Sequence, residues 1–161
     1  MTFKTRQWLY FYITAFISLG LAVLLWLIST WSEKDPNQKQ AFYIVGTIMV
    51  VVFFGLPLLT IKNLKIISKV GKNWIFRFPY MNRSFSFDNT SVDNITIIEN
   101  FGGRMVPTHD IITINTANKK LTVSSLEIKE FQKFKKLISS DFKEKITTKT
   151  QNWLGVIVDK K

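Results

Sequence analysis

Apolar residues are grouped on two different scales along this 161-residue chain: long continuous runs before residue 62, and short strand-sized runs after it. Trp8 to Ile28 and Ala41 to Ile61 are each 21 residues without a charge. As a helix rising about 1.5 Å per residue, such a run spans about 31 Å, close to the roughly 30 Å hydrocarbon core of a bilayer. The polar connection Ser29 to Gln40 holds Pro36 and is 12 residues long, so the two helices are expected to be antiparallel neighbours in a transmembrane hairpin over residues 1–61. Small residues at Ser18, Ala22 and Gly46 suit close helix contact in lipid. Pro57 is expected to kink the second helix mildly. The first run is longer than the apolar region of a signal peptide, and Ser29-Thr30-Trp31 supplies no small-residue cleavage site, so an uncleaved anchor is expected.

Beyond the second run the period changes to two. Leu64 to Val70 and Trp74 to Phe78 flank Gly71-Lys72-Asn73 as a hairpin, Arg83 to Phe87 alternates again, and Val92 to Glu99 follows the turn Asp88-Asn89-Thr90-Ser91. Phe101 to Asp110, with two glycines and a proline, reads as a loop, and Ile111 to Asn115 with Leu121 to Val123 as a second hairpin. Ser124 and Glu127 have the spacing of a capping box, which predicts a helix from Ser124 carrying Ile128, Phe131, Phe134 and Ile138 on its buried face. Lys129, Lys133 and Lys136 fall largely on the other side. The last segment, 141–161, is a basic tail around the apolar stretch Trp153 to Val158. That stretch suits an edge strand, a dip into the membrane interface through Trp153, or a strand offered to a partner.

Charge separates the same two regions. Residues 1–61 hold four basic and two acidic residues, whereas residues 62–161 hold 18 and nine, so +9 of the net +11 belongs to the second region. Lys4, Arg6, Lys62, Lys65, Lys69, Lys72 and Arg77 adjoin the outer ends of the two runs, against Lys34 and Lys39 in the connection. By the positive-inside rule both termini are cytoplasmic, in a two-pass membrane protein. Trp8, Trp26 and Trp31 are placed as interfacial anchors, and Lys62, Lys65, Lys69 and Lys72 as contacts to the membrane surface. Near anionic headgroups each such lysine contributes up to about 1 kcal/mol. A chain rich in Lys, Asn and Ile also uses lysine as its default surface residue, so both accounts of the charge stand. Only about two residues separate Ile61 from the first predicted strand, which is expected to hold the basic first turn within a Debye length, about 8–10 Å, of the headgroups.

Chemistry is sparse. The chain has no cysteine and one histidine, His109, so a metal centre lacks converging ligands and a Ser–His pair lacks its Gly-x-Ser-x-Gly elbow. Gly102-Gly103 lacks the Lys and Ser or Thr of a phosphate loop. No charged residue lies within either apolar run, which speaks against an ion pathway. No catalytic, cofactor-binding or metal-binding residue is assigned, and no nucleic-acid partner is expected.

Two stretches, SFSFDNTSVDNI from Ser84 to Ile95 and DIITINTANKKLTVSSLEIKEFQKFKKLI from Asp110 to Ile138, resemble the strand–turn–strand and final hairpin–helix of bacterial pleckstrin-homology-like (PH-like) membrane proteins. The resemblance covers Leu64 to about Ser140. It implies an α+β membrane protein in which the transmembrane hairpin (spans 8–28 and 41–61) precedes a PH-like antiparallel β-barrel, residues 62–140, capped by its C-terminal helix. It does not imply phosphoinositide binding; the first hairpin loop, with Lys69 and Lys72, is thin for that. The function expected is non-catalytic: a domain at the cytosolic face that binds a protein partner or the anionic membrane surface. The rival is a regulatory or immunity-type protein acting through its transmembrane hairpin.

Overall fold

The computed structural model describes residues 1–30, 35–103, 106–152 and 155–160. The chain divides into two compact units, Gln7–Leu64 and a second made of Met1–Arg6 together with everything from Lys65. The N-terminal six residues, expected with the hairpin, thus belong to the sheet-rich unit.

The helical unit contains α1 (Gln7–Thr30) and a second rod that runs as α2 (Pro36–Val50), a π-helical turn (Val51–Gly55) and α3 (Leu56–Asn63). Both rods are long and apolar enough to cross a membrane, and 11% of each apolar window is buried, far less than in the core helix of a globular domain. Asp35 is the extended residue before α2, and Pro36 follows at the helix start, where its missing N–H costs nothing. Pro57 cannot donate to the carbonyl four residues earlier and its ring crowds that carbonyl, and the π turn ends just before it.

Close helix contact falls at Gly20, where a Cβ would stand 2.8 Å from the Phe53 Cβ and 2.9 Å from the Phe54 ring. Gly46 is the second small contact, with a Leu27 methyl 3.3 Å from its Cβ position. Ser18 and Ala22, the residues expected at this contact, are exposed. The registers of the two rods decide this, and the turn from Val51 to Gly55 has a different angular step from an α-helix. Gly20→Ile is accordingly expected to push the rods apart at a cost of about 1–3 kcal/mol. Interhelical distance measurements on spin-labelled variants in detergent would check it; an unchanged distance would refute the contact.

The sheet-rich unit has two sheets. The first, in the order β1-β2-β3-β4, is antiparallel: β1 (Thr2–Phe3), β2 (Ile66–Val70), β3 (Asn73–Phe78) and β4 (Arg83–Phe87). The second has the order β7-β6-β5-β8-β9, from β5 (Val92–Gly103), β6 (Val106–Thr116), β7 (Lys119–Ser124), β8 (Ile146–Gln151) and β9 (Ile157–Asp159). Among the described residues no closed barrel forms. The sheets remain separate, and β8 runs parallel to β5, so the second sheet is not purely antiparallel. One core fills the unit: Trp74 and Phe76 from β3, the inward isoleucines of β5 and β6, and Phe131, Phe134 and Ile138 from helix α4 (Phe131–Asp141).

Three sequence expectations change. The helix begins at Phe131 and not at Ser124. Half of the capping box forms, the Glu127 carboxylate accepting from Ser124 N at 3.3 Å, while Ser124 Oγ accepts from Leu126 N at 3.1 Å and not from the Glu127 amide. They close only a turn, because the next backbone is claimed by the N-terminal strand: Arg6 N donates to Glu127 O at 2.7 Å and Lys129 N to Lys4 O at 2.9 Å. Second, most of Phe101 to Asp110 is strand, continuing β5 and β6 past a bulge where Asn100 takes φ 57°. Third, the tail supplies β8 and the edge strand β9, while Trp153 lies outside the described residues. The polar sequence of β8, ITTKTQ, carries no apolar alternation and so hid the strand.

Candidate functional site

The four lysines expected at the membrane surface differ in exposure and pairing. Lys62 is exposed in the last turn of α3. Lys65, just before β2, is 5% exposed, and its ammonium donates to Thr122 O at 2.5 Å and pairs with Glu127 Oε2 at 3.0 Å. So buried and paired, it is not a surface contact. Lys69 pairs with both oxygens of Asp141, at 2.8 and 2.6 Å, and lies 5.5 Å from the Trp74 ring centre. Lys72, in the β2–β3 turn, is exposed and has no ion pair among the described residues. From Lys65 to Lys72 the chain traverses all of β2, about 17 Å at roughly 3.3 Å per residue. The first turn is thus a strand's length along the chain from the residue at which the chain comes back from the helices.

Around Lys69 and Lys72 there is a cleft of about 410 Å³, completed by Gly71, the Asp88-Asn89-Thr90 turn, Asp141 and Phe142. Its charges balance. Asp141 accepts from the Trp74 indole at 2.9 Å as well as from Lys69. Asp88 is held at a pKa of about 2 by the Thr90 hydroxyl and the Ser91 amide and hydroxyl, so it stays a carboxylate. Two ammonium groups facing two carboxylates give no net attraction for a headgroup phosphate. Asp141 escaped sequence reasoning because it is 72 residues from Lys69. One signal existed: a carboxylate at a helix C-terminus opposes the helix dipole, which asks for a cation from elsewhere.

A second charge network ties down the long β5–β6 hairpin. Lys135 of α4 reaches Glu99 at 2.8 Å and Asp110 at 2.9 Å, and Lys160 also reaches Glu99. Hydrogen bonds from the two lysines hold the Glu99 carboxyl below its usual range; bonds to Glu99 and Asp110 outweigh desolvation and raise Lys135. His109 stands edge-on to Phe101 across the hairpin, ring centres 5.4 Å apart, with Nδ1 2.7 Å from Pro107 O. The ring thus packs on Phe101 and bonds the local backbone. Among the described residues no group of three or more His, Cys, Asp or Glu side chains converges as metal ligands would.

Of the tryptophans expected as anchors, Trp8 is 49% and Trp26 57% exposed on α1, while Trp31 lies outside the described residues. Set against family models, curated proteins and solved structures, the chain matches none.

Proposed function

We propose that this is a two-pass membrane protein of the bacterial inner membrane that displays a non-catalytic, PH-like docking domain on the cytosolic face. The anionic membrane surface is its first partner, and a protein recruited there is its second. One observation carries the reading: the apolar hairpin is inserted between β1 and β2, which pair as neighbours through Thr2–Ser68 and Phe3–Ile67. A chain that leaves and re-enters one sheet must do so on one side of a bilayer, so the insert crosses an even number of times. Two rods of sufficient length supply two crossings.

The side follows from charge. The sheet-rich unit holds 19 basic and nine acidic residues, a net of +10, while the connection between the rods balances Lys34 and Lys39 with Glu33 and Asp35. Three strands in each sheet followed by an amphipathic helix support the PH-like assignment, with β1, β8 and β9 as additions. The balanced cleft and the packed His109 favour binding over catalysis.

The chain has no native cysteine, so single-cysteine variants test the topology directly. In intact cells, a membrane-impermeant maleimide is expected to label Asn37→Cys and to spare Lys72→Cys until the membrane is permeabilised. Labelling of Lys72→Cys from outside would reverse the orientation and remove the cytosolic reading.

A further inference from the structure

The strand registers sort the sheet-rich unit into two ends. At one end are the β2–β3 turn, the Asp88–Ser91 turn and the amino terminus, whose amine reaches Lys69 O at 3.1 Å. At the other end the chain passes to and from the helices, since Arg6 is followed at once by α1, and a single residue, Leu64, separates α3 from Lys65. Ile66 opposes Arg77 and Phe78 opposes Arg83, so the β3–β4 connection belongs to this tether end.

That connection is built to project. Pro79–Met81 is a 3-10 turn closed by Asn82 in the left-handed region at φ 47°, a conformation Asn adopts at little cost. Tyr80 at its centre is 59% exposed and is the only exposed aromatic ring of the sheet-rich unit among the described residues. Exposed cations lie at the same end: Arg77 and Arg83 on the flanking strands, Lys4 beside β1, and Lys129, joined to Lys4 through its backbone. None of these four has an ion pair among the described residues, in contrast to Lys65 and Lys69. The carboxylates in these stretches are Glu127, committed to Lys65, and the exposed Glu130. An apolar ring with a polar hydroxyl amid unpaired cations matches the chemistry of an anionic bilayer interface, where the ring sits among glycerol groups and the cations face lipid phosphates.

We infer that the β3–β4 turn, with Tyr80 at its tip and Arg77 and Arg83 at its base, is the element by which this domain docks on the anionic lipid surface. The inference rests on the membrane-surface reading above and names the element responsible. It makes the end nearest the tether the contact, and leaves the Lys69–Lys72 cleft facing water.

The test uses the full-length protein in nanodiscs of anionic lipid, with an environment-sensitive fluorophore on Tyr80→Cys, on Met81→Cys as a second position in the turn, and on Lys72→Cys at the far end. Spin-labelled lipid is expected to quench both turn positions and to leave Lys72→Cys unaffected. Adding Arg77→Gln and Arg83→Gln to the labelled turn is expected to lower the docked-to-free ratio by up to roughly thirtyfold, and salt near 1 M to act in the same direction. Quenching at Lys72→Cys but not in the turn, or equally at both ends, would overturn this assignment while sparing the surface reading. Quenching at neither end would overturn the surface reading together with it.

Discussion

Phe3→Ala is expected to destabilise the sheet-rich unit by about 3–5 kcal/mol, a large part of the 5–15 kcal/mol that holds an ordinary domain folded. Phe3 is 1% exposed although it lies near the chain's start. Its ring stacks 6.4 Å from Trp74 and meets Phe134 of α4 edge-on at 5.4 Å, so it touches both the first sheet and the helix. Truncation to alanine leaves a cavity between elements that are themselves fixed by other packing, and partial collapse recovers little. Denaturation followed by fluorescence would measure the loss. A cleaner comparison joins Met1–Arg6 to Lys65 through a two-residue turn in place of residues 7–64, which restores an ordinary β-hairpin because the strands are antiparallel neighbours. That chain is expected to fold, and a fragment beginning at Lys65 to be poorly ordered. If both fragments were equally stable, the N-terminal strand would be dispensable and the idea wrong.

The second large effect is expected at Lys65. Lys65→Met should cost about 2–4 kcal/mol, because it strips Glu127 of its partner and Thr122 O of a donor. The figure sits at or below the range for a fully buried pair, since the Glu127 side chain is 29% exposed and water can reach it. The double variant Lys65→Met, Glu127→Leu should regain most of the loss, as apolar replacements of partly buried pairs commonly do. A double variant as unstable as the single one would show that the lysine acts through packing of its stem and not through its charge. Lys65 also meets the N-terminal segment, with Thr5 Oγ1 donating to Lys65 O at 2.8 Å and accepting from Lys65 N at 3.2 Å. The two variants therefore probe opposite sides of one junction, where residues 3–5, the start of β2 and the turn before α4 come together.

Particular residues show why some of this was legible and some was not. Trp74, Phe76 and Phe78 alternate with Ile75 and Arg77, and a period of two has one local meaning, so β3 was readable along with its hairpin to β2. Glu127 caps the Ser124 amide as the spacing predicts, yet the helix starts seven residues later because the backbone at 127–129 meets residues 4–6. No local pattern reports a partner more than a hundred residues away. The pairing of the lysines was hidden for the same reason: Lys65, Lys69 and Lys72 are close in sequence, but Glu127 and Asp141 decide which of them is neutralised. The turn Pro79–Met81 carries no periodic pattern, and its place at the tether end appears only when registers show which end of the sheet it occupies.

By itself the sequence determined two apolar rods long enough to span a bilayer, a basic sheet-rich region after them, and most strand positions, because hydrophobic run length, charge and period are local properties of the chain. Tertiary structure alone decided that residues 1–6 complete that region's first sheet, that the polar tail pairs with β5, and that the two sheets stay apart. Each of these is a choice of strand partner, made by backbone hydrogen bonds and shared burial between segments far apart in the chain. Polar or two-residue strands can carry such a choice with no periodic signal at all.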